Sequence, residues 1–545
     1  MKTLYLHIGQ QKTGSTSLQR FCSKNREVFN KHGFDYPIMP FRYRFVTKSR
    51  NAHFLIGTIL DKEGNHKVIK EKRRYRKGYR AIVEAFKKYD NVLMSDERLW
   101  DRSSAREPFW IDLTEHAKKH GYTIKVIVYL RRQDQLAASW YNQLVKQGSR
   151  GVGEVTWEHW LKHRQRYIGD IRLDFYDNLE RIAAYVGREN IDVRVYDRAQ
   201  LEKDGGSIFT DFLGCLGLTL DEMFEMPERD NNAASLTPNI LAIKREVNSS
   251  PHHERADDKP FQAAANEYSL EPSDTPRYSL FSADEARAFL AQFEEQNDLV
   301  AREYLHRDGP LFDETMKDAE KWSPDNPYLY DDMVHYFQRV NVKQQEFVAE
   351  RAERLKARAE AAAEGGGAEA GQLEDEDDLT DRDAPEDEAA DAEEQEAFED
   401  EAAQASEGQD VSEDEAQAHV EEADSEASPD PVEWFSYLEN REIEKSEVNL
   451  AVARCMGDFF LLRQMDVKAF RPLTPLDDDS IERMAAMLHA QAEQVAELQE
   501  VLAKRPGARI KKSENAAGEF FDKAGRAISH PGKIVEYVQR KRDNE

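Results

Sequence analysis

The stretch Gly9-Gln10-Gln11-Lys12-Thr13-Gly14-Ser15-Thr16-Ser17 is dense in hydrogen-bond donors, and it sits between a short apolar run and a helical pattern. A strand, a glycine-rich polar turn and a helix start make an anion site, because backbone N–H groups converge there and the helix dipole favours negative charge. Lys12 adds a full positive charge, and Ser15, Thr16 and Ser17 add hydroxyl donors. A second cationic point is Arg131, at the end of the apolar run Thr123–Leu130, with Ser139 eight residues on in a helical pattern. Both can face one crevice, and the guanidinium fork suits phosphate. Carboxylates and imidazole come next: Asp96-Glu97 follows the run Asn91–Ser95, and His53 lies in Asn51-Ala52-His53-Phe54. No His, Cys, Asp or Glu cluster has ligand spacing, so no metal is expected.

The rival reading of the first loop is a nucleotide-binding loop with a lysine directly after its last glycine. Here the lysine precedes Gly14 by two positions. The segment His7 to Gln19 instead resembles the 5′-phosphosulfate-binding loop of sulfotransferases that use 3′-phosphoadenosine 5′-phosphosulfate (PAPS), closest to the bacterial and carbohydrate-type branch. Arg131 and Ser139 stand where that family holds the 3′-phosphate, although Gln133 replaces a frequent proline. The resemblance covers residues 1–313, with looser matches at Asn232 to Leu236 and from Ala301 to Phe312. It implies a P-loop-like three-layer fold and PAPS as co-substrate, bound by Lys12, Thr13, Gly14, Ser15, Thr16, Ser17, Arg131 and Ser139. It also implies sulfuryl transfer to a hydroxyl acceptor, a carbohydrate or glycolipid. Transfer to a hydroxyl needs a base. Glu97 is the first candidate, since it ends a strand and points where strand ends gather; His53 is the second. The rival functions are a nucleotide or metabolite kinase on a related fold, or a scaffold acting through the C-terminal half.

These residues need elements to position them. Thr3–Ile8, Asn91–Ser95, Thr123–Leu130 and Asp192–Tyr196 read as strands, alternating with helical segments that include 134–147. Such alternation predicts α/β architecture around a parallel sheet, with ligands at the strands' C-terminal ends. Residues 282–306 read as one helix opened by a Ser282/Glu285 capping box. A helical extension is expected over 314–360. Residues 361–430 hold 29 acidic residues and one basic residue, and too few large apolar residues to offset the entropy of ordering, so an acidic disordered linker is expected. Residues 431–545 read as helical, with Ile481, Met484, Leu488, Val495, Leu498 and Leu502 at heptad spacing. A short coiled coil over 481–502 would support self-association, and packing within a helical unit is the alternative.

Charge divides the chain sharply. Residues 1–170 carry 34 basic and 17 acidic residues, against a net of −29 for the whole. A multiply charged nucleotide accounts for a basic domain without nucleic acid. The basic run from Lys67 to Lys77 reads as a solvated helix face, with nucleic acid or an anionic acceptor as alternatives. Three distant cysteines give no disulfide framework, and no run of 18 apolar residues is present. The expectation is a cytoplasmic protein without a transmembrane segment, with a peripheral membrane placement left open.

Overall fold

The computed structural model describes residues 2–363, 444–468 and 476–503, apart from 44–45, 60–65, 103–106, 150, 165–172, 202–205, 228–234, 254–257, 272–274, 314 and 316–318. The acidic tract beyond residue 363, Asn232 and the chain after 503 lie outside the described residues.

Five strands form one parallel sheet: β1 (Lys2–His7), β2 (Phe34–Asp35), β3 (Asn91–Ser95), β4 (Tyr122–Leu130) and β5 (Ile191–Val195). The order is β2-β3-β1-β4-β5, and every pairing is parallel. Leu6 of β1 pairs with Met94 on one side and Val126 on the other. From β1 the chain crosses to the edge strand β2, comes back inward to β3, and then passes to the other side of β1 for β4 and β5. The crevice beyond the C-terminal ends of β1 and β4 is thus a topological switch point, where open α/β sheets bind ligands.

Helices cover both sheet faces, as a buried parallel sheet requires. They are α1 (Ser15–Lys24), α2 (Arg26–Lys31), α3 (Val68–Phe86), α4 (Arg98–Arg102), α5 (Glu107–His120), α6 (Gln133–Lys146), α7 (Trp157–Lys162), α8 (Phe175–Val186), α9 (Arg198–Leu201) and α10 (Ile208–Cys215). Leu4, Leu6, Met94, Val126 and Val128 pack with Ile82 of α3, Trp110 of α5 and Leu179 of α8. On the opposite face Leu93, Ile127 and Tyr129 pack with Phe21 of α1 and Phe212 of α10. Period-two alternation along the strands delivers both sets.

A second, all-helical core lies beside the sheet. It joins α6 and α7 to α11 (Pro238–Asn248), α12 (Lys259–Leu270) and α13 (Ala283–Leu290), and then, past α14 (Glu294–Glu303), to α15 (Leu329–Ala363), α16 (Val448–Lys468) and α17 (Asp478–Ala503). The boundaries expected at 313 and 431 therefore do not separate cores: Val340, Phe460 and Ile481 are buried in one cluster with Leu136 and Ile240. Ile481, Met484 and Leu488, the first heptad positions, are buried there against the chain's own helices; a heptad stripe is equally an ordinary helix-packing face. The helix expected over 282–306 is interrupted. Its Ser282/Glu285 capping box forms, but a tight turn at Ala291–Phe293 separates α13 from α14, and Phe289 and Phe293 both enter the helical core. Between α11 and α12, the fully buried Lys244 meets Asp258 Oδ1 at 2.7 Å, and His253 Nε2 shares that oxygen at 3.1 Å.

Candidate functional site

The loop after β1 closes on β4 and β3. Gln10 N–H donates to the Tyr129 carbonyl (3.1 Å) and Tyr129 N–H to the Gly9 carbonyl (2.8 Å). A Cβ on Gly9 would stand 2.8 Å from the Glu97 carbonyl oxygen and 2.9 Å from its Cα, and φ is +105°, so both space and backbone demand glycine. Gly14, at φ +79°, caps α1, and no side chain caps the N–H groups of that first turn. They remain as donors at the positive end of the helix. Thr13 and Ser15 are buried, and their hydroxyls donate inward to the Gln10 carbonyl, Ser15 at 3.1 Å. Their side chains shape the loop; Thr16 is exposed and Ser17 half-buried.

Lys12 stands over the crevice with φ +65° and donates to Gln143 Oε1 on α6 at 3.1 Å. Burial, then repulsion from Lys146 and from Arg131, lowers its pKa to about 8. Arg131 leaves β4 as expected. Its Nη1 donates to the Lys12 carbonyl (3.1 Å), its backbone N–H to Gln10 Oε1 (3.3 Å), and its guanidinium lies 5.9 Å from the centre of the Tyr196 ring. Its Nε is buried with no acceptor among the described residues, and burial lowers its pKa. Ser139 is 7% exposed on α6, one helical turn before Gln143 and two before Lys146. Three cations and a helix N-terminus therefore converge, an arrangement that stabilises an incoming polyanion. The donor set, with its orphaned guanidinium nitrogen, fits a phosphorylated nucleotide.

The β3 end forms the other wall. Asp96 is fully buried and accepts from Arg50 Nε (3.0 Å) and Nη2 (2.7 Å), while His53 Nδ1 lies 2.9 Å from its Oδ2. Burial alone would raise the Asp96 pKa; Arg50 and His53 outweigh it and hold the carboxyl below the usual carboxylate range. Arg50 is raised: burial opposes this, and Asp96 and Glu97 prevail. Glu97 accepts from Gln19 Nε2 at 2.5 Å and lies 3.5 Å from Arg50 Nη1. The structure thus brings Glu97 and His53 to one wall through Arg50, beside the loop that carries Lys12. His7 is a core residue: its Nδ1 meets Ser95 Oγ at 2.8 Å, and burial, partly offset by Asp96, takes its pKa to about 4.

Sequence reasoning missed Lys146, Gln143, Tyr196, Arg50 and the orienting role of Asp96. Lys146 and Gln143 could have been found, since they continue the face of Ser139 at helical spacing. Arg50 lies in an irregular loop, where no periodicity reports direction. Among the described residues no group of three or more His, Cys, Asp or Glu side chains is placed to hold a metal ion, and no helix is long and apolar enough to cross a membrane.

No protein-family model matches the chain, and no solved structure matches it. An uncharacterized protein of Archaeoglobus fulgidus is 28% identical over 184 residues, which is 33% of this chain and 46% of that protein. The chain spans less than half the length of that relative.

Proposed function

We propose that the chain is a sulfotransferase that moves the sulfuryl group of PAPS to a hydroxyl of a carbohydrate or glycolipid. The observation that carries this reading is the convergence of Lys12, Arg131 and Lys146 with the α1 N-terminus at the switch point of the sheet. Lys12, Gly14 and the first-turn N–H groups of α1 would hold the 5′-phosphosulfate, and Arg131 with Ser139 the 3′-phosphate. PAPS supplies an activated sulfuryl group. As the acceptor oxygen bonds to sulfur and the sulfur–phosphate oxygen bond breaks, Lys12 stabilises the charge that gathers on the departing phosphate.

The acceptor proton goes to the β3 wall. Glu97, the first candidate from sequence, already has one carboxylate oxygen accepting from Gln19 and the other facing Arg50. His53 has Nδ1 held on Asp96, which orients the ring and leaves Nε2 to take a proton. This support favours His53 as base, with Asp96 positioning it. The test is turnover of sulfur-labelled PAPS by the full chain against a panel of sugars and glycolipids. Label transfer that is lost in His53→Gln and kept in Glu97→Gln supports the whole reading; the reverse returns the role to Glu97. Binding of ATP in preference to PAPS, with phosphoryl transfer, would replace the reading with the kinase one.

A further inference from the structure

α3 carries charge that the sheet does not use. Its buried side holds Gly78, Tyr79, Ile82, Ala85 and Phe86. On the other side Ile69, Lys72, Arg73, Arg76 and Arg80 recur at helical spacing, and all five are exposed. Between Lys67 and Arg80 eight residues are basic and only Glu71 is acidic. Glu71 is engaged elsewhere, with His66 Nε2 at 2.5 Å and the Ile59 N–H at 3.2 Å. Arg74, between the two sides, lies over the Tyr43 ring at 5.0 Å. The exposed stripe runs about 16 Å along the helix.

We propose that this stripe is a docking surface for the acidic tract of the same chain, residues 361–430. The tract carries a net −28, the sum of 29 acidic residues and one basic, and so complements the stripe in sign and density. It is also tethered. Ala363 ends α15 and Glu444 leads into α16, so the tract belongs to a connection of 80 residues between two helices that both contribute to the helical core. A chain of that length explores on the order of 50 Å. Tethering holds it at roughly millimolar effective concentration. Screening over about 8–10 Å at physiological salt removes long-range attraction but spares contacts made side by side along a helix. An untethered polyanion must displace a partner that is always present. The Lys12 crevice is less suited to such a segment, because its cations are half-buried or buried, whereas those of the stripe are exposed.

The test is zero-length carbodiimide cross-linking of the full chain, read by mass spectrometry, which joins lysine amines only to carboxylates in direct contact. At 50 mM salt, Lys67, Lys70, Lys72 and Lys77 should link to Asp and Glu of 361–430 within monomers, at a yield independent of protein concentration. At 500 mM salt the yield should fall at least tenfold. Replacing Arg73, Arg76 and Arg80 by serine keeps the reacting lysines and the buried face of α3, and should lower the yield at least fivefold with the circular dichroism unchanged. Links from the tract spread evenly over Lys118, Lys119 and Lys162 would overturn the proposal. So would an undiminished yield in the serine variant. Ile69 tops the stripe at 81% exposure. Flotation of the wild type with phosphatidylglycerol vesicles but not phosphatidylcholine ones, lost in Ile69→Ser, with no α3 cross-links to the tract, would assign the surface to a membrane instead.

Discussion

Raising the pH should loosen the anion site through Lys12. Its pKa stands at about 8 because burial, Lys146 and Arg131 all disfavour the ammonium. A bound phosphate favours that ammonium, so binding takes up a proton, and affinity falls as pH climbs past the free-state value. With a pKa of about 8 the amine is roughly nine-tenths charged at pH 7 and about one-hundredth charged at pH 10. A charge-assisted hydrogen bond contributes about 1.5–3 kcal/mol, or a factor of about 10 to about 150 in affinity. Calorimetric titration with adenosine 3′,5′-bisphosphate between pH 7.5 and 10 reads this, since phosphate with a second pKa of about 6 is almost entirely ionised throughout. The dissociation constant should rise at least about 10-fold and at most about 75-fold, the ceiling that one group with a pKa of about 8 sets over that range, with proton uptake visible as a dependence on buffer ionisation heat. Lys12→Arg, charged throughout, should flatten the profile. Lys12→Met should be flat and weak at every pH. A wild-type profile that is flat, or a Lys12→Met profile that keeps the wild-type slope, refutes the assignment of the titrating group to Lys12.

Arg131→Ala should weaken PAPS by about 10- to 100-fold, the worth of a charge-assisted phosphate contact, and adenosine 5′-phosphosulfate hardly at all; equal losses in calorimetry would detach Arg131 from the 3′-phosphate. Asp96→Asn should lower kcat at least about tenfold and shift the pH–rate profile while leaving the PAPS dissociation constant unchanged; an unaltered profile would remove Asp96 from positioning His53. Gly9→Ala should lower the unfolding free energy by about 2–4 kcal/mol, combining left-handed backbone strain with a carbon forced against the Glu97 main chain. Urea denaturation checks it, and a loss below about 0.5 kcal/mol, the range of a neutral surface change, would mean the loop yields there.

The strands of the sheet were readable because each is a short apolar run closed by a glycine or charged residue, and β3 falls on Asn91–Ser95 as expected. β2 was not, since a two-residue strand has no period to detect. The loop of Lys12 and the Arg131–Ser139 pair were legible from residue type and order. Which hydroxyls face the ligand was not: Thr13 and Ser15 look like donors in sequence, yet both turn inward to the Gln10 carbonyl. Lys12 and Lys146 are 134 positions apart along the chain and meet only because β1 and β4 are neighbours. The heptad run of α17 shows the same limit from the other side, because periodicity reports that a face is buried and not by what.

The shared core of α6 and the late helices has a consequence for how the protein is made. One side of α6 carries Ser139, Gln143 and Lys146 at the crevice, and the other puts Ala137, Tyr141 and Val145 into the cluster completed by α16 and α17. About 300 residues separate the end of α6 from the start of α16, which ribosomes take about 15–60 s to add. Throughout that interval the back of α6 lacks its final cover. The crevice is therefore among the last parts of the molecule to become rigid, and the nascent chain is a client for any chaperone that shields apolar helix faces.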